Sequence, residues 1–229
     1  GPFKLSRFGH YAYALVLVDD HSRFKYVAFL KRKSDAPAEI RRFVATFNSF
    51  ANSQKNQPIR VVGSLHSDNA GEFLSREFAE FLAEDGIAHT TCPPHVHALN
   101  GVAERAIRSI MSNARSNLVA SGAPTVFWNH AVAHAVDVLN RTTGPPGSDK
   151  SSFELLTGQQ PRIMQILPFG CRAFTVKPDN SVRKTFIDAK AWVGKNLGRS
   201  PSVPGAYDIW VESLGRIVTS SECYFDETL

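Results

Sequence analysis

Residues 11–18 read Tyr-Ala-Tyr-Ala-Leu-Val-Leu-Val, the longest uninterrupted apolar run in the chain. A transmembrane helix needs roughly 20 apolar residues, so eight cannot span a bilayer. The run is rich in aromatic and β-branched residues, and turn-forming Asp19-Asp20-His21-Ser22 follows it, which predicts a buried strand. Residues 26–30, Tyr-Val-Ala-Phe-Leu, supply a second strand, so the pair predicts a hairpin. The apolar period then changes. Ile40, Phe43, Val44, Phe47, Phe50 and Ala51 recur at helical spacing, after Ser34 or Asp35 as cap and Pro37 in the first turn.

Residues 59–65 predict a strand that ends in Ser67-Asp68-Asn69. Residues 75–85 predict a short helix stopped by Gly86, and residues 87–92 a strand closed by Pro93-Pro94. Ala103, Ile107, Ile110, Met111, Ala114 and Leu118 predict a long helix ending near Gly122. Residues 127–139 predict another, carrying Trp128, Ala131, Val132, Ala135 and Leu139. Trp128 is read as core rather than as a base-stacking platform. Gly144-Pro145-Pro146-Gly147-Ser148 is a loop, and residues 153–158 hold a short helix. From Phe169 onward helical periodicity stops. Short strands are predicted at 172–176, 192–193, 207–211 and 216–219, with turns between them, as in a small antiparallel sheet or barrel.

Composition narrows the function classes. Hydrophobic residues make up 43% of the 229, enough for a real core. The formal charge of +5 suits a nucleic-acid partner and equally an ordinary basic protein. Cys92, Cys171 and Cys223 are odd in number and form no Cys-x-x-Cys pair. A disulfide framework and a structural zinc site are therefore not expected, which suits a reducing compartment. With no membrane-length run and no signal peptide, the expected protein is soluble and intracellular.

Two carboxylates stand out by context. Asp68 sits where a strand stops, the place where ligands gather in α/β sheets. Glu104 opens a helix after a loop that contains Pro and Gly. The bland alternatives are an Asx turn for Asp68 and an i,i+4 ion pair with Arg108 for Glu104. Spacing and context favour chemistry. Asp68 lies in His-Ser-Asp-Asn-Ala-Gly-Glu-Phe, Glu104 in Leu-Asn-Gly-Val-Ala-Glu-Arg, and 35 residues lie between the two acids.

These motifs, with Cys-Pro-Pro-His at 92–95 between them, resemble the last two acids of the triad of retroviral and retrotransposon integrases. The Asn-Gly-Val-Ala-Glu-Arg form resembles the copia type. Residues 153–158 with Pro161 resemble the segment after the core in copia-type polyproteins. Residues 169–174, 207–210, 215–218 and 225–227 resemble their small SH3-like domain. One departure is Gly194-Lys195, where the family usually has Gly-Tyr. The resemblance implies an α/β, ribonuclease H-like integrase core, a mixed sheet flanked by helices, over residues 1–150. It implies a connecting segment at 151–168 and a small all-β SH3-like domain at 169–229.

It also implies metal-dependent phosphodiester cleavage and strand transfer on element ends and target DNA. Asp68 and Glu104 would be catalytic and would hold Mg²⁺ or Mn²⁺, a hard cation that prefers carboxylates. Arg105, Arg108 and Arg115 share a stripe of the Glu104 helix and are the expected DNA face. Asn100 is expected beside the site, as a further DNA-binding residue. His66, His89, His95 and His97 lack a regular metal spacing and are read as structural or phosphate-adjacent. A homo-oligomer when active, no membrane partner, and passage from a cytoplasmic particle to the nucleus are further expectations.

The family's first acid stands on the first strand, in Asp-x-x-Gly-Pro, and this chain opens with Gly1-Pro2-Phe3. Inactivity is therefore expected in this form. A gap or widened spacing in the sheet is expected too, or residues 3–8 drawn in as a partial substitute. Asp19, at the end of the next strand, is the fallback third acid; its bland role is pinning the hairpin with Ser22 or Arg23. Two alternatives stay open: a non-catalytic or domesticated DNA-binding relic of an integrase, and a ribonuclease H-like nuclease without joining activity.

Overall fold

A computed structural model of the protein describes residues 2–53, 62–91, 101–177 and 190–228. Strands β1 (Tyr13–Val18) and β2 (Lys25–Leu30) form the expected antiparallel hairpin, in register from Tyr13 opposite Leu30 to Val18 opposite Lys25. Asp19 pins its turn, accepting from the Ser22 N–H at 2.7 Å and the Ser22 hydroxyl at 2.6 Å. Helix α1 (Ala36–Ser53) follows a short 3-10 turn. Strands β3 (Ser64–Ser67) and β4 (Ala88–Thr91) are parallel and are joined by helix α2 (Arg76–Glu84), as a parallel pair requires. Ser75 caps α2 by accepting from the Phe78 N–H, and Gly86 takes the left-handed conformation that ends it.

Helices α3 (Gly101–Ser121), α4 (Trp128–Thr142) and α5 (Ser152–Thr157) come next. Five antiparallel strands close the chain: β5 (Arg172–Val176), β6 (Ala191–Arg199), β7 (Tyr207–Val211), β8 (Arg216–Ser220) and β9 (Cys223–Asp226). Their spatial order is β8-β7-β6-β5-β9. Among the described residues no helix is long and apolar enough to cross a membrane.

Strand β1 is apolar on both faces because both faces pack. Leu15 and Leu17 join a cluster made by Ile40 and Val44 of α1 with Phe78, Phe81 and Leu82 of α2. Ala14 and Val16 turn the other way, onto Ile110 and Ala114 of α3 and the apolar face of α4. Yet all six β1 residues are only half-buried. The reason is an open edge: β1–β2 and β3–β4 remain two separate two-stranded sheets among the described residues, not one mixed sheet. The expected gap is present. Residues 3–8 do not fill it. The Phe3 and Ser6 N–H groups bond the carbonyls of Ala12 and Tyr11, ahead of β1. Phe3 stacks on Trp128 at 4.3 Å, and the Trp128 indole N–H donates to the Lys4 carbonyl at 2.8 Å. Trp128 is core, as expected, at 6% exposure.

The five-stranded sheet shares the larger core. Phe169 and Leu197 belong to the same buried cluster as Phe127, Ala131 and Val132, with Trp210, Ile217 and Phe8 packed against it. Strand β6 is much longer than the two residues expected at 192–193. Gly194-Lys195-Asn196-Leu197-Gly198 lacks apolar alternation, so its strand character is set by tertiary contacts. A Cβ at Gly194 would lie 2.4 Å from the Trp210 carbonyl oxygen. The fully buried Asn196 donates to the Pro168 carbonyl at 3.0 Å and accepts from the Gly198 N–H at 3.0 Å. Strand β9 has no counterpart among the expected strands.

His134 lies at this helix–sheet junction. Its Nε2 contacts the Leu167 carbonyl at 2.9 Å and its Nδ1 the Asn117 amide at 3.3 Å. A carbonyl only accepts, so Nε2 carries the proton; Nδ1 then accepts from Asn117, and the ring is neutral. Burial lowers the pKa of His134, and of His130, below the ordinary 6.5. The unfolded chain thus takes up protons that the folded one refuses. Stability should be full above about pH 6.5 and fall as pH drops below it. Urea midpoints at pH 7.5 and 5.5 check this. A His134→Gln variant should lose part of the acid sensitivity, and an unchanged pH dependence would remove His134 as a cause.

Candidate active site

The gap between the hairpin and β3 is a cleft of about 590 Å³. Val16 and Asp19 line it from the hairpin side, Leu65 and His66 from β3, and Val102 and Ala103 from the first turn of α3. Asp68 follows the C-terminal end of β3, two residues beyond His66. Glu104 follows Ala103 in the first turn of α3. The chain thus brings both acids to elements that border one cleft, and Asp19 lines that cleft directly.

Asp68 is exposed, and its Oδ1 accepts from the Ala70 N–H at 3.2 Å, so the Asx turn is real. Glu104 is exposed, and the i,i+4 ion pair with Arg108 is absent from the ion pairs of the described residues. That bland explanation of Glu104 therefore fails. An acid in the first turn also sits well at the positive end of the helix dipole. Asp19 performs its hairpin role through Oδ2. These carboxylates match a hard cation in kind, since Mg²⁺ takes oxygen ligands. They do not match it in number: among the described residues no three His, Cys, Asp or Glu side chains come together as a metal-holding group.

The histidines beside the acids bond across the β3–β4 pair. His66 Nδ1 meets the Thr90 hydroxyl and His89 Nε2 meets the Ser67 hydroxyl, both at 2.9 Å. Asn100, His95 and His97 lie outside the described residues.

Helix α3 buries Ala106, Ile110 and Ala114 and leaves Arg105, Arg108 and Arg115 exposed on the opposite side. None of the three arginines is in an ion pair among the described residues. Sequence reading missed Lys25. It is 8% exposed and lines a smaller cavity beside the cleft, with Arg23 and Arg105. The available signal was a lysine heading an otherwise apolar strand.

Residues 2–97 match the family model described as Integrase core domain. The chain is 30% identical over 228 residues to the Retrovirus-related Pol polyprotein from transposon TNT 1-94 of Nicotiana tabacum, covering 100% of this chain and 16% of that one. It is 32% identical over 222 residues to the Retrovirus-related Pol polyprotein from transposon RE2 of Arabidopsis thaliana, covering 95% of this chain and 14% of that one. The chain therefore spans only a small part of these relatives. Among solved structures, a chain of the simian T-cell lymphotropic virus intasome in complex with PP2A regulatory subunit B56 gamma is 17% identical, with a TM-score of 0.51. That match covers 98% of this chain and 75% of the other, and it shows likeness of fold. Motif and relatives together support an LTR retrotransposon integrase: the chain is similar to the Integrase core domain over residues 2–97 and, along nearly its whole length, to Pol polyproteins of copia-type plant transposons.

Proposed function

We propose that this chain is the catalytic core of a copia-type retrotransposon integrase, which cleaves phosphodiesters and transfers DNA strands between element ends and target DNA. The observation that carries the reading is the convergence of Asp68 and Glu104 on elements bordering one cleft, beside an unpaired arginine face. Asp68 and Glu104 would hold Mg²⁺ or Mn²⁺, which when bound stabilises charge on the phosphoryl oxygens and activates the attacking oxygen. Asp68 offers the carboxylate oxygen that is free of the Ala70 bond. Glu104 offers a carboxylate with no ion-pair partner. Arg105, Arg108 and Arg115 would position the DNA by its phosphates, since guanidinium suits that contact.

In this reading residues 1–150 are the ribonuclease H-like core and 151–168 the connection. Residues 169–229 are the SH3-like domain, a role that suits a five-stranded antiparallel sheet. Work as a homo-oligomer, in a cytoplasmic particle and then the nucleus, follows from the same reading. A second reading, a DNA-binding relic without chemistry, draws on one observation: no three-ligand group forms among the described residues.

Both readings require DNA binding that weakens with salt. Titration of a labelled duplex over a range of NaCl concentrations should give a steep log–log slope. Alanine at Arg105, Arg108 and Arg115 together should make it shallower by about 0.9 for each phosphate that is no longer neutralised. Unchanged affinity and slope would take these arginines off the DNA face.

A further inference from the structure

Lys25 is a buried cation that the proposed reading leaves unused. It is 8% exposed, and its ammonium donates to the Arg23 carbonyl at 3.0 Å. Among the described residues it has no carboxylate partner. Burial alone pushes its pKa down from the ordinary lysine value. A buried charge without a counter-charge is destabilising, so a cation kept in this state calls for another role. Holding the strand is not that role. The bonds that fix β2 here run between the Lys25 backbone and the Asn140 side chain, at 2.8 and 2.7 Å, and any residue but proline would make them.

The surroundings are cationic. A cavity of about 210 Å³ is lined by Lys25, Arg23, Arg105 and Ser109 among apolar Val18 and Val102. Arg105 folds back over the start of its own helix, its Nη1 lying 3.3 Å from where a Cβ on Gly101 would be. That places a guanidinium over the first turn of α3, where free N–H groups already make the potential positive. Among the described residues, the one ion pair made by these three cations joins Arg23 to Asp20 at 2.5 Å, and the Asp20 side chain is 94% exposed. Asp19 lies nearby, with its Oδ2 engaged by Ser22. Lys25 and Arg105 thus bring positive charge to a small hollow with no carboxylate partner for either among the described residues.

We infer that this cavity is a phosphate subsite, which takes one phosphodiester of the nucleic-acid backbone flanking the phosphate under attack. Lys25 and Arg105 supply the charge, and the Ser109 hydroxyl supplies a hydrogen bond. Val18 and Val102 line both this cavity and the cleft, so the two are neighbours. Glu104 immediately precedes Arg105 on α3. One bound phosphate would thereby set the register of the strand relative to Glu104. Phosphate contacts position a duplex without reading its sequence.

The inference rests on the DNA reading, and two measurements keep them separable. Lys25→Met retains most of the length of the side chain and the Asn140 bonds while removing the charge. The first measurement is the melting temperature in inorganic phosphate against chloride at equal ionic strength. Phosphate should raise it more for the wild-type chain than for Lys25→Met, which keeps only the general stabilisation that phosphate gives any folded chain. The second is duplex affinity against salt. Lys25→Met and the exposed-site Ser109→Ala should both bind more weakly, and Lys25→Met should show a slope shallower by about 0.9. If Lys25→Met misfolds, Ser109→Ala and Arg105→Gln carry the test. Wild-type affinity and slope in these variants, beside a wild-type chain that binds DNA, would overturn the subsite and leave the DNA reading standing. A wild-type chain that binds no duplex would overturn both. A phosphate shift larger in the wild type than in Lys25→Met would then mark a small-anion site instead.

Discussion

Strand transfer should rise by about 100-fold or more over this chain when a strand carrying Asp-x-x-Gly-Pro is added upstream, because among the described residues no third acid joins Asp68 and Glu104 in one group. Asp68 and Glu104 stand close in the chain to residues that line the cleft, His66 and Ala103, and no three-ligand group forms among the described residues. Removing one member of a catalytic group that works as a unit costs nearly the whole rate, so completing it should recover nearly the whole rate. The cleft gives a structural reason as well. It separates the β1–β2 pair from the β3–β4 pair, and each presents an edge with no strand partner among the described residues. An added strand would hydrogen-bond those edges and replace an apolar void with packed side chains.

The measurement is strand transfer with labelled element-end oligonucleotides and Mg²⁺ or Mn²⁺, for both lengths. In the extended form Asp68→Asn and Glu104→Gln should each return activity to background. The extended form should also melt higher. If the 229-residue chain is already active and Asp19→Asn abolishes that activity, Asp19 is the third carboxylate and the cleft is not the place of a missing strand.

Phe127→Ala should cost about 3–5 kcal/mol, a large part of the roughly 5–15 kcal/mol that holds a typical domain together. Phe127 is 1% exposed. Its ring lies 5.3 Å from Trp210 of β7, 6.4 Å from Phe8 and 6.1 Å from His130 of α4. It therefore joins the N-terminal segment, the helical layer and the five-stranded sheet in one contact set. Truncation opens a cavity that three separately anchored elements cannot jointly collapse to fill. Urea unfolding followed by far-ultraviolet circular dichroism and by tryptophan fluorescence would measure the loss. Trp128 lies in the helices, and Trp192 and Trp210 lie in the sheet, so both probes should shift together. A cost below about 1 kcal/mol, or two separated transitions, would mean that sheet and helices keep independent cores.

Much of this molecule is readable because the signals are local. The hairpin, α1, α2, α3 and α4 stand within a few residues of where apolar period, caps and glycine stops place them. Ser75 and Gly86 bound α2 because a capping hydroxyl and a left-handed glycine act on their own helix alone. Strand β6 escapes such reading for the opposite reason. Its Gly194 is needed by the approach of the Trp210 carbonyl, and its Asn196 by the Pro168 carbonyl, both distant in the chain.

The candidate site divides the same way. Asp68 and Glu104 are visible through motif and spacing, and the turn role of Asp19 through the neighbouring Ser22. Whether Glu104 is tied to Arg108 could only be decided by rotamers in the folded chain, and it is not. Lys25 gives almost no signal, because its burial depends on the packing of distant elements, among them α4, whose Asn140 holds the Lys25 backbone.

The sequence by itself determined the order and kind of the elements other than β6 and β9, the two acids by motif, and the arginine stripe, since each is encoded within a few turns of chain. Only the tertiary structure decided which strand edges pair and which stay open, that the sheet shares its core with the helices, and that three cations meet in one hollow. Those outcomes depend on surfaces brought together from distant parts of the chain. Edge pairing, shared burial and charge crowding are properties of such meetings, and no local pattern contains them.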